Sequence, residues 1–485
     1  MINLIKNEFV KVFKKKTIYI LLIITLGYIL LTNLIMKYNP NEYVTYYYYE
    51  SDASYYENAL SSLDPNNPAD YQQYFENKRH LEALKLTKQY GNNSWQAYII
   101  NTKLIGYIDT IIEYKYTDEI TEDAYNKAKT AYDTALEKLK NNDWKYFVNT
   151  DLEYINENLE EQYSLRDSAS DSETLKNIND EILNLELEKQ INTWRLEKNI
   201  SYAPSFLNQC IENYYNYQST LNNYIDKDIN ELSSDDQTYY KDALETAALN
   251  KYYIENNITL NNDNRQILLN LFNNYELFIL IIAIVIASSI VSEEFSRGTI
   301  KLLLVKPYGR LKILFSKFII CLFILILAIF FIALSQLIIG GIIHGFDSLS
   351  TPAIIYNYTT NSVQTINITS YIALIGICKF PIYLLLTTLA FTCSTIFTNT
   401  ALAVAVPFLG YIASTIINQF ALLYDIKQII YFVTPNWDFT YYLFGGTPMF
   451  KGLTPIFSFI VCLVYFAIML IINAIVFKKR DIKNI

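Results

Sequence analysis

Six long runs of this chain are apolar and almost free of charge, and they restrict its fold more than any other feature. They are residues 17–36, 277–292, 318–343, 371–397, 400–424 and 453–477. A hydrocarbon layer about 30 Å thick is crossed by about 20 apolar residues of helix. Within that layer only helices or closed barrels satisfy their own backbone. The run at 277–292 is short and is expected to borrow from its outer flank. The predicted fold class is an all-α membrane protein with six transmembrane helices. A simple soluble enzyme is excluded by the same runs. The first run is too long for a cleaved signal peptide and lacks a small-residue cleavage site, so it reads as an uncleaved first span.

The charge is divided as sharply as the hydropathy. Residues 37–276 hold 41 acidic and 21 basic side chains, whereas the rest of the chain holds 7 and 18. Lysine and arginine collect in three short flanks. These are the N-terminus (Lys6, Lys11, Lys14, Lys15, Lys16), the loop after the second span (Arg297, Lys301, Lys306, Arg310, Lys312, Lys317) and the C-terminus (Lys478, Lys479, Arg480, Lys483). All three fall on one side of a six-span path, which the positive-inside rule makes cytoplasmic. The acidic block 37–276 is then extracellular, in a multi-pass plasma-membrane protein with both termini inside. The expected order is an interface helix over 1–16, a first span over 17–36 and the external domain over 37–276. Spans 2 to 6 follow over 277–477, and a basic tail over 478–485.

The acidic block reads mostly as helix. Leu175, Ile178, Ile182 and Leu185 recur at helical spacing, which predicts a helix over 172–198 with Ser172 as its cap. Weaker patterns cover 117–140, 151–165, 206–225 and 235–255, with polar breaks between them. A bundle of long helices is expected, large enough to bury its own core. A disulfide framework is excluded, because Cys210 is the block's single cysteine. With only His80 and His344 in the chain, so is a histidine-rich zinc site. Thirty of the 43 tyrosines lie in this block. They suit packing near lipid headgroups, or an aromatic surface for a peptide, glycan or lipid. The net charge solvates an exposed face or attracts a cationic ligand. Richness in Asn, Ile, Lys and Tyr suggests a low-GC Gram-positive bacterium, which would place the block on the cell surface.

The most informative stretch is SEEFSRGTIKLLLVKPYGRLKILFSK, residues 292–317. Glu293 and Arg297 form an i,i+4 pair. Gly298 is expected inside the inward continuation of the second span, at a cost of about 1 kcal/mol relative to alanine. Pro307 and Gly309 stop the helix. The run resembles the first cytoplasmic loop of type-2 ATP-binding-cassette (ABC) transporter permeases. The matching residues are Glu293 and Glu294, Gly298-Thr299, Leu302-Leu303, Pro307, Arg310 and Lys317. Gly309 departs from the serine common in that family. The six-span layout, the basic tail and the segment Thr434-Pro435-Asn436-Trp437, similar to a partly re-entrant external loop, agree with it. The resemblance covers the membrane half and leaves the external domain as an unassigned insertion.

The resemblance implies a permease subunit that is not itself an enzyme. No G-x-x-x-x-G-K-[ST] run occurs among the 13 glycines. ATP and magnesium would therefore sit on a separate ABC ATPase subunit. The residues implied in coupling to it are Glu293, Glu294, Arg297, Gly298, Thr299, Leu303, Pro307 and Arg310. A second permease subunit, identical or related, and membrane lipid are the other expected partners. No nucleic-acid partner, catalytic residue, cofactor or metal is expected in this chain. Ile2, Ile5, Phe9, Val12 and Phe13 share one face of an amphipathic N-terminal helix, placed against lipid or against the ATPase. Lys379 is the one charge within a span; it either snorkels outward or is a pore candidate. Gln336 and Asn473 suit hydrogen bonds between helices or a pore lining. Cargo export, of an antimicrobial peptide or lipid-like compound, is the favoured function. An ATP-driven sensor or mechanical transmitter is the alternative, and an anchored scaffold without an ATPase the more distant one.

Overall fold

A computed structural model describes residues 2–38, 53–67, 69–117, 119–260, 263–300 and 308–480. The chain divides into two compact units, Met1–Pro40 with Asn261–Ile485, and Asn41–Leu260.

The first unit holds six membrane-length helices, here called spans 1 to 6. They are Lys16–Tyr38, Leu271–Ser296, Arg310–His344, Ile368–Ile396, Thr400–Leu423 and Pro455–Lys479. Even the shortest, 23 residues, is about 35 Å long at 1.5 Å per residue, enough to cross the hydrocarbon. Span 2 is the centre of the unit, with fifteen of its 26 residues buried, whereas spans 1 and 6 each bury four. It packs against spans 1, 3, 4 and 5. Its core face includes Ile279, Ala283, Ile286, Ala287 and Ile290. Ser288 Oγ donates to Ala403 O at 2.8 Å, and Ser394 Oγ accepts from the Ser292 amide at 2.9 Å. Such small polar residues let neighbouring helices approach. Ile20, Ile23, Leu409, Phe459 and Leu463 are exposed on the outer helices, as side chains in lipid are.

The boundary between polar and apolar chain differs from the expected one. Residues 261–276 belong with the spans rather than with the polar domain. A short helix, Asn264–Leu269, capped by Asp263, leads into span 2, which begins at Leu271 rather than 277. The polar side chains that disguised this segment have partners within the unit. Asn264 accepts from Gln336, and Arg265 donates to the carbonyls of Thr351 and Pro352 at 3.0 and 2.5 Å. Between spans 3 and 4 an antiparallel hairpin pairs Ala353–Asn357 with Ser362–Ile366. No strand was expected there. Its β-branched alternation is only five residues long on each side.

Among its described residues the second unit is built of helices joined by turns, with no strand. Its longer helices are Tyr71–Tyr90, Glu122–Lys140, Trp144–Ser168, Ser172–Lys198, Phe206–Asn222 and Ser234–Glu255. A π-helical turn, Ile100–Leu104, joins the short helices Trp95–Ile99 and Ile105–Glu113. Helix Ser172–Lys198 has its predicted extent, but the cap is Asp171, whose carboxylate accepts from the Thr174 amide at 2.8 Å. Its Ile182 and Leu185 pack with Ile155 and Leu159. The tyrosine run at residues 46–49 lies outside the described residues.

Candidate functional site

Of the residues singled out in the 293–310 region, Glu293 and Glu294 meet the N-terminal segment in a lattice of charges. Helix Ile2–Phe13 buries Leu4, Glu8 and Val12, one residue every four. Of the face read from the sequence, Val12 is buried and Ile5 and Phe13 pack against the core, whereas Ile2, 81% exposed, and Phe9 stay on the outside. Lys317, eight residues into span 3 and fully buried, places Nζ 2.7 Å from Glu8 Oε2 and 2.8 Å from Glu294 Oε1. A buried ammonium demands such partners, and Glu8 must turn inward to reach it. Lys11 bridges the same two carboxylates at 3.1 and 2.9 Å. Burial by itself raises the Glu8 carboxyl, but the attraction and hydrogen bonds of Lys317 and Lys11 outweigh it and hold it below 4.5. Glu293 forms the predicted pair with Arg297 at 2.5 Å and shares its second oxygen with Lys15, also at 2.5 Å.

Gly298 does not lie inside a helix. Span 2 ends at Ser296, Arg297 is its cap, and Gly298 has φ +68°. This left-handed residue stops the helix and turns the chain. Thr299 Oγ1 donates to Glu294 O at 3.4 Å, and helical backbone resumes at Ile300. Leu303 and Pro307 lie outside the described residues. Arg310 donates to the carbonyls of Lys478 and Arg480 at 2.9 and 3.3 Å. Arg480 in turn covers the Phe295 ring at 4.2 Å and donates to Thr395 O. One end of the membrane unit is thus stitched across spans 2, 3, 4 and 6 and the N-terminal helix.

Lys379 belongs to a second lattice. It is the twelfth residue of span 4, about 17 Å along the helix at 1.5 Å per residue. It does not snorkel. Its Nζ lies 3.1 Å from Glu276 Oε2 and 2.7 Å from Asp438 Oδ2, and Tyr411 OH donates to Glu276 Oε1 at 2.7 Å. Span 2, span 4, span 5 and the segment after span 5 meet here. That segment packs into the bundle. Asn436 is fully buried, donates to Ile430 O and Phe432 O, and accepts from Ser458 Oγ at 2.7 Å. Trp437 joins the core. Tyr383 and Thr387 continue from Lys379 at four-residue spacing on one face of span 4. Both are fully buried, and their hydroxyls have no hydrogen-bond partner.

Gln336 and Asn473 tie helices together. Gln336 exchanges hydrogen bonds with Asn33 at 2.9 and 3.1 Å and accepts from Tyr275 OH at 2.6 Å. Gly340 permits this hub, since a Cβ there would stand 2.1 Å from Asn264 Oδ1. Asn473 accepts from Thr395 Oγ1 at 2.7 Å and donates to Thr392 Oγ1 at 3.0 Å.

Sequence reasoning missed Glu8, Glu276 and Asp438. Each is an isolated acid at the edge of an apolar or basic stretch, and each pairs with a lysine inside a span. The available signal was that a buried lysine needs a named counter-charge. Among the described residues no group of His, Cys, Asp and Glu side chains is arranged to hold a metal ion.

A family model described as "Protein of unknown function (DUF2705)" matches residues 245–483. The chain is 33% identical over 244 residues to the uncharacterized protein YhcI of Bacillus subtilis (strain 168), covering 50% of this chain and 76% of that protein. It is 30% identical over 202 residues to the uncharacterized membrane protein YdbK of the same organism, covering 42% and 77%. No solved structure matches the chain.

Proposed function

We propose that this chain, which belongs to the same family as the Bacillus subtilis proteins YhcI and YdbK, is the permease subunit of an ATP-driven exporter. It is a multi-pass, predominantly helical membrane protein. The observation that carries the reading is the ion-paired lattice around Lys317. It makes the N-terminal helix, the turn at Gly298 and the start of span 3 one mechanical piece. A force applied at the cytoplasmic end of span 2 would pass through these ion pairs to the N-terminal helix and span 3. An ABC ATPase subunit, carrying the ATP and magnesium, would supply that force on the cytoplasmic side, and two permease subunits would enclose the path. The resemblance of residues 292–317 to type-2 permeases supports the same assignment. The stripe of Lys379, Tyr383 and Thr387 gives span 4 a polar face within the bundle, suited to an amphipathic cargo. In this reading the basic flanks favour both termini inside the cell and residues 41–260 outside.

A second reading, an ATP-driven sensor or mechanical transmitter, is favoured by one observation. The family match begins at residue 245, so most of the polar unit lies beyond it and carries a task of its own. Purification from native membranes in mild detergent, with mass spectrometry of the co-purifying chains, tests both readings. A stoichiometric partner with a phosphate-binding loop is expected, and its reproducible absence would overturn them. Cargo flux coupled to ATP turnover in reconstituted vesicles then separates export from signalling.

A further inference from the structure

The polar unit contains a cleft of about 1060 Å³, just above the ~300–1,000 Å³ range of small-molecule sites and roomy enough for a short peptide segment. One wall is the π-helical turn Ile100–Leu104, which presents Thr102 and Lys103. Such turns cost regular hydrogen bonding and recur at functional sites. Beside it the rings of Tyr98 and Tyr202 stack at 4.9 Å with 10° between their planes. The Arg195 guanidinium lies 4.4 Å from the Tyr202 ring.

The cleft's cations are already committed. Arg195 is buried and donates to Asn208 Oδ1 at 2.7 Å and Ser201 O at 3.3 Å. Lys103 pairs with Asp151, which also accepts from Tyr202 OH at 3.4 Å. The carboxylates of Glu188 and Glu212 are held far more loosely, by Tyr215 OH at 3.4 Å and Asn208 Nδ2 at 3.5 Å. Burial raises both carboxyls above 4.5. A group that is half-buried, destabilised as an anion and weakly bonded gains most from a new positive donor. Tyr154, 67% exposed, and Tyr215 offer flat apolar surface at the same opening. Residues 41–260 carry 39 acidic and 19 basic side chains, so the surrounding field draws cations inward.

We propose that this cleft binds a basic peptide segment. Its ammonium or guanidinium group sits between Glu188 and Glu212, and its apolar or aromatic side chain lies on the tyrosines. The proposal stands apart from the permease reading, because binding here requires neither ATP nor a partner chain.

The test uses the full-length protein in lipid nanodiscs, with the tripeptide amide Lys-Trp-Lys as probe and Glu-Trp-Glu amide as charge-reversed control, by isothermal titration calorimetry. The basic probe is expected to bind and the acidic one not. The isosteric pair Glu188→Gln with Glu212→Gln should weaken binding at least about tenfold, as loss of a partly desolvated charge contact does. The pair Glu160→Gln with Glu161→Gln removes the same number of charges from an exposed stretch of helix Trp144–Ser168, and should change it by less than about threefold. Tyr154→Ala, too exposed to unfold the domain, should weaken Lys-Trp-Lys but not Lys-Gly-Lys. Equal losses for the two glutamate pairs would reduce the effect to diffuse charge and overturn the proposal. So would equal binding of the acidic peptide, or no binding of the basic one.

Discussion

At Lys317 an ammonium has been taken out of water altogether, and two carboxylates within 2.8 Å, with the Ile290 carbonyl at 3.4 Å, make that tolerable. Breaking a buried pair costs about 3–5 kcal/mol, because the partner is left charged and dry. Lys317→Met should therefore lower the melting temperature of the detergent-solubilised protein sharply. Adding Glu8→Gln and Glu294→Gln to it should recover much of the loss. A melting temperature unchanged by Lys317→Met would show that the lattice contributes nothing. The same site has a pH dependence of definite sign. Glu8 faces Lys317 and Lys11, with Glu294 sharing both, and its folded carboxyl titrates below the ordinary value of 4.5. Its ion pairs therefore stabilise the fold fully above 4.5, and their contribution is lost as pH falls through the lower folded value. Glu8→Gln should flatten that acid limb in a thermal-shift series. Lys379 was legible in the sequence as a charge in a span, but its partners were not. Glu276 and Asp438 are 162 residues apart, and only tertiary packing brings them to one ammonium.

Elements were legible where one periodicity dominated. Helix Ser172–Lys198 kept its predicted limits because Ile178, Ile182 and Leu185 define one face. Span 2 did not, because Asn264, Arg265 and Tyr275 look like surface residues until their hydrogen-bond partners are known. Gly298 was misplaced for a related reason: a sequence does not say whether a glycine interrupts a helix or ends it. Its φ of +68° and the open space around a would-be Cβ separate two costs that usually mix. Gly298→Ala should lose about 1–2 kcal/mol from backbone strain alone, read as a lowered melting temperature, whereas Gly298→Asn should lose less. If the turn also transmits force, bulky substitutions there should abolish ATP turnover linked to transport while the protein remains folded. The segment entering the bundle after span 5 gives a second test. Asp438→Asn removes its ionic tie to Lys379, so amide exchange at residues 436–438 should accelerate while that of span 4 stays slow. Unchanged exchange would show that Asn436 and Trp437 hold the segment unaided.

For the whole molecule, the division of charge carries a prediction about topology. Lys11, Lys15, Arg310, Lys317 and Arg480 gather at one end of the membrane unit through contacts with the N-terminal helix and spans 2, 3, 4 and 6. Glu276 lies near the other end of span 2, seventeen residues before Glu293, or about 26 Å along the helix. The basic end should face the cytoplasm, which sends residues 41–260 to the opposite side, since they join spans 1 and 2 at the Glu276 end. Impermeant maleimide on intact cells tests this directly. The native background is low, because Cys210, Cys321, Cys393 and Cys462 are buried and Cys378 is half-buried. Ser172→Cys, on an exposed helix start of the polar unit, should label without permeabilisation. Lys6→Cys, on the exposed face of the N-terminal helix, should label only after it. The reverse pattern would put the polar unit and its cleft in the cytoplasm. It would also remove the side on which an ATPase is proposed to dock against the Lys317 lattice.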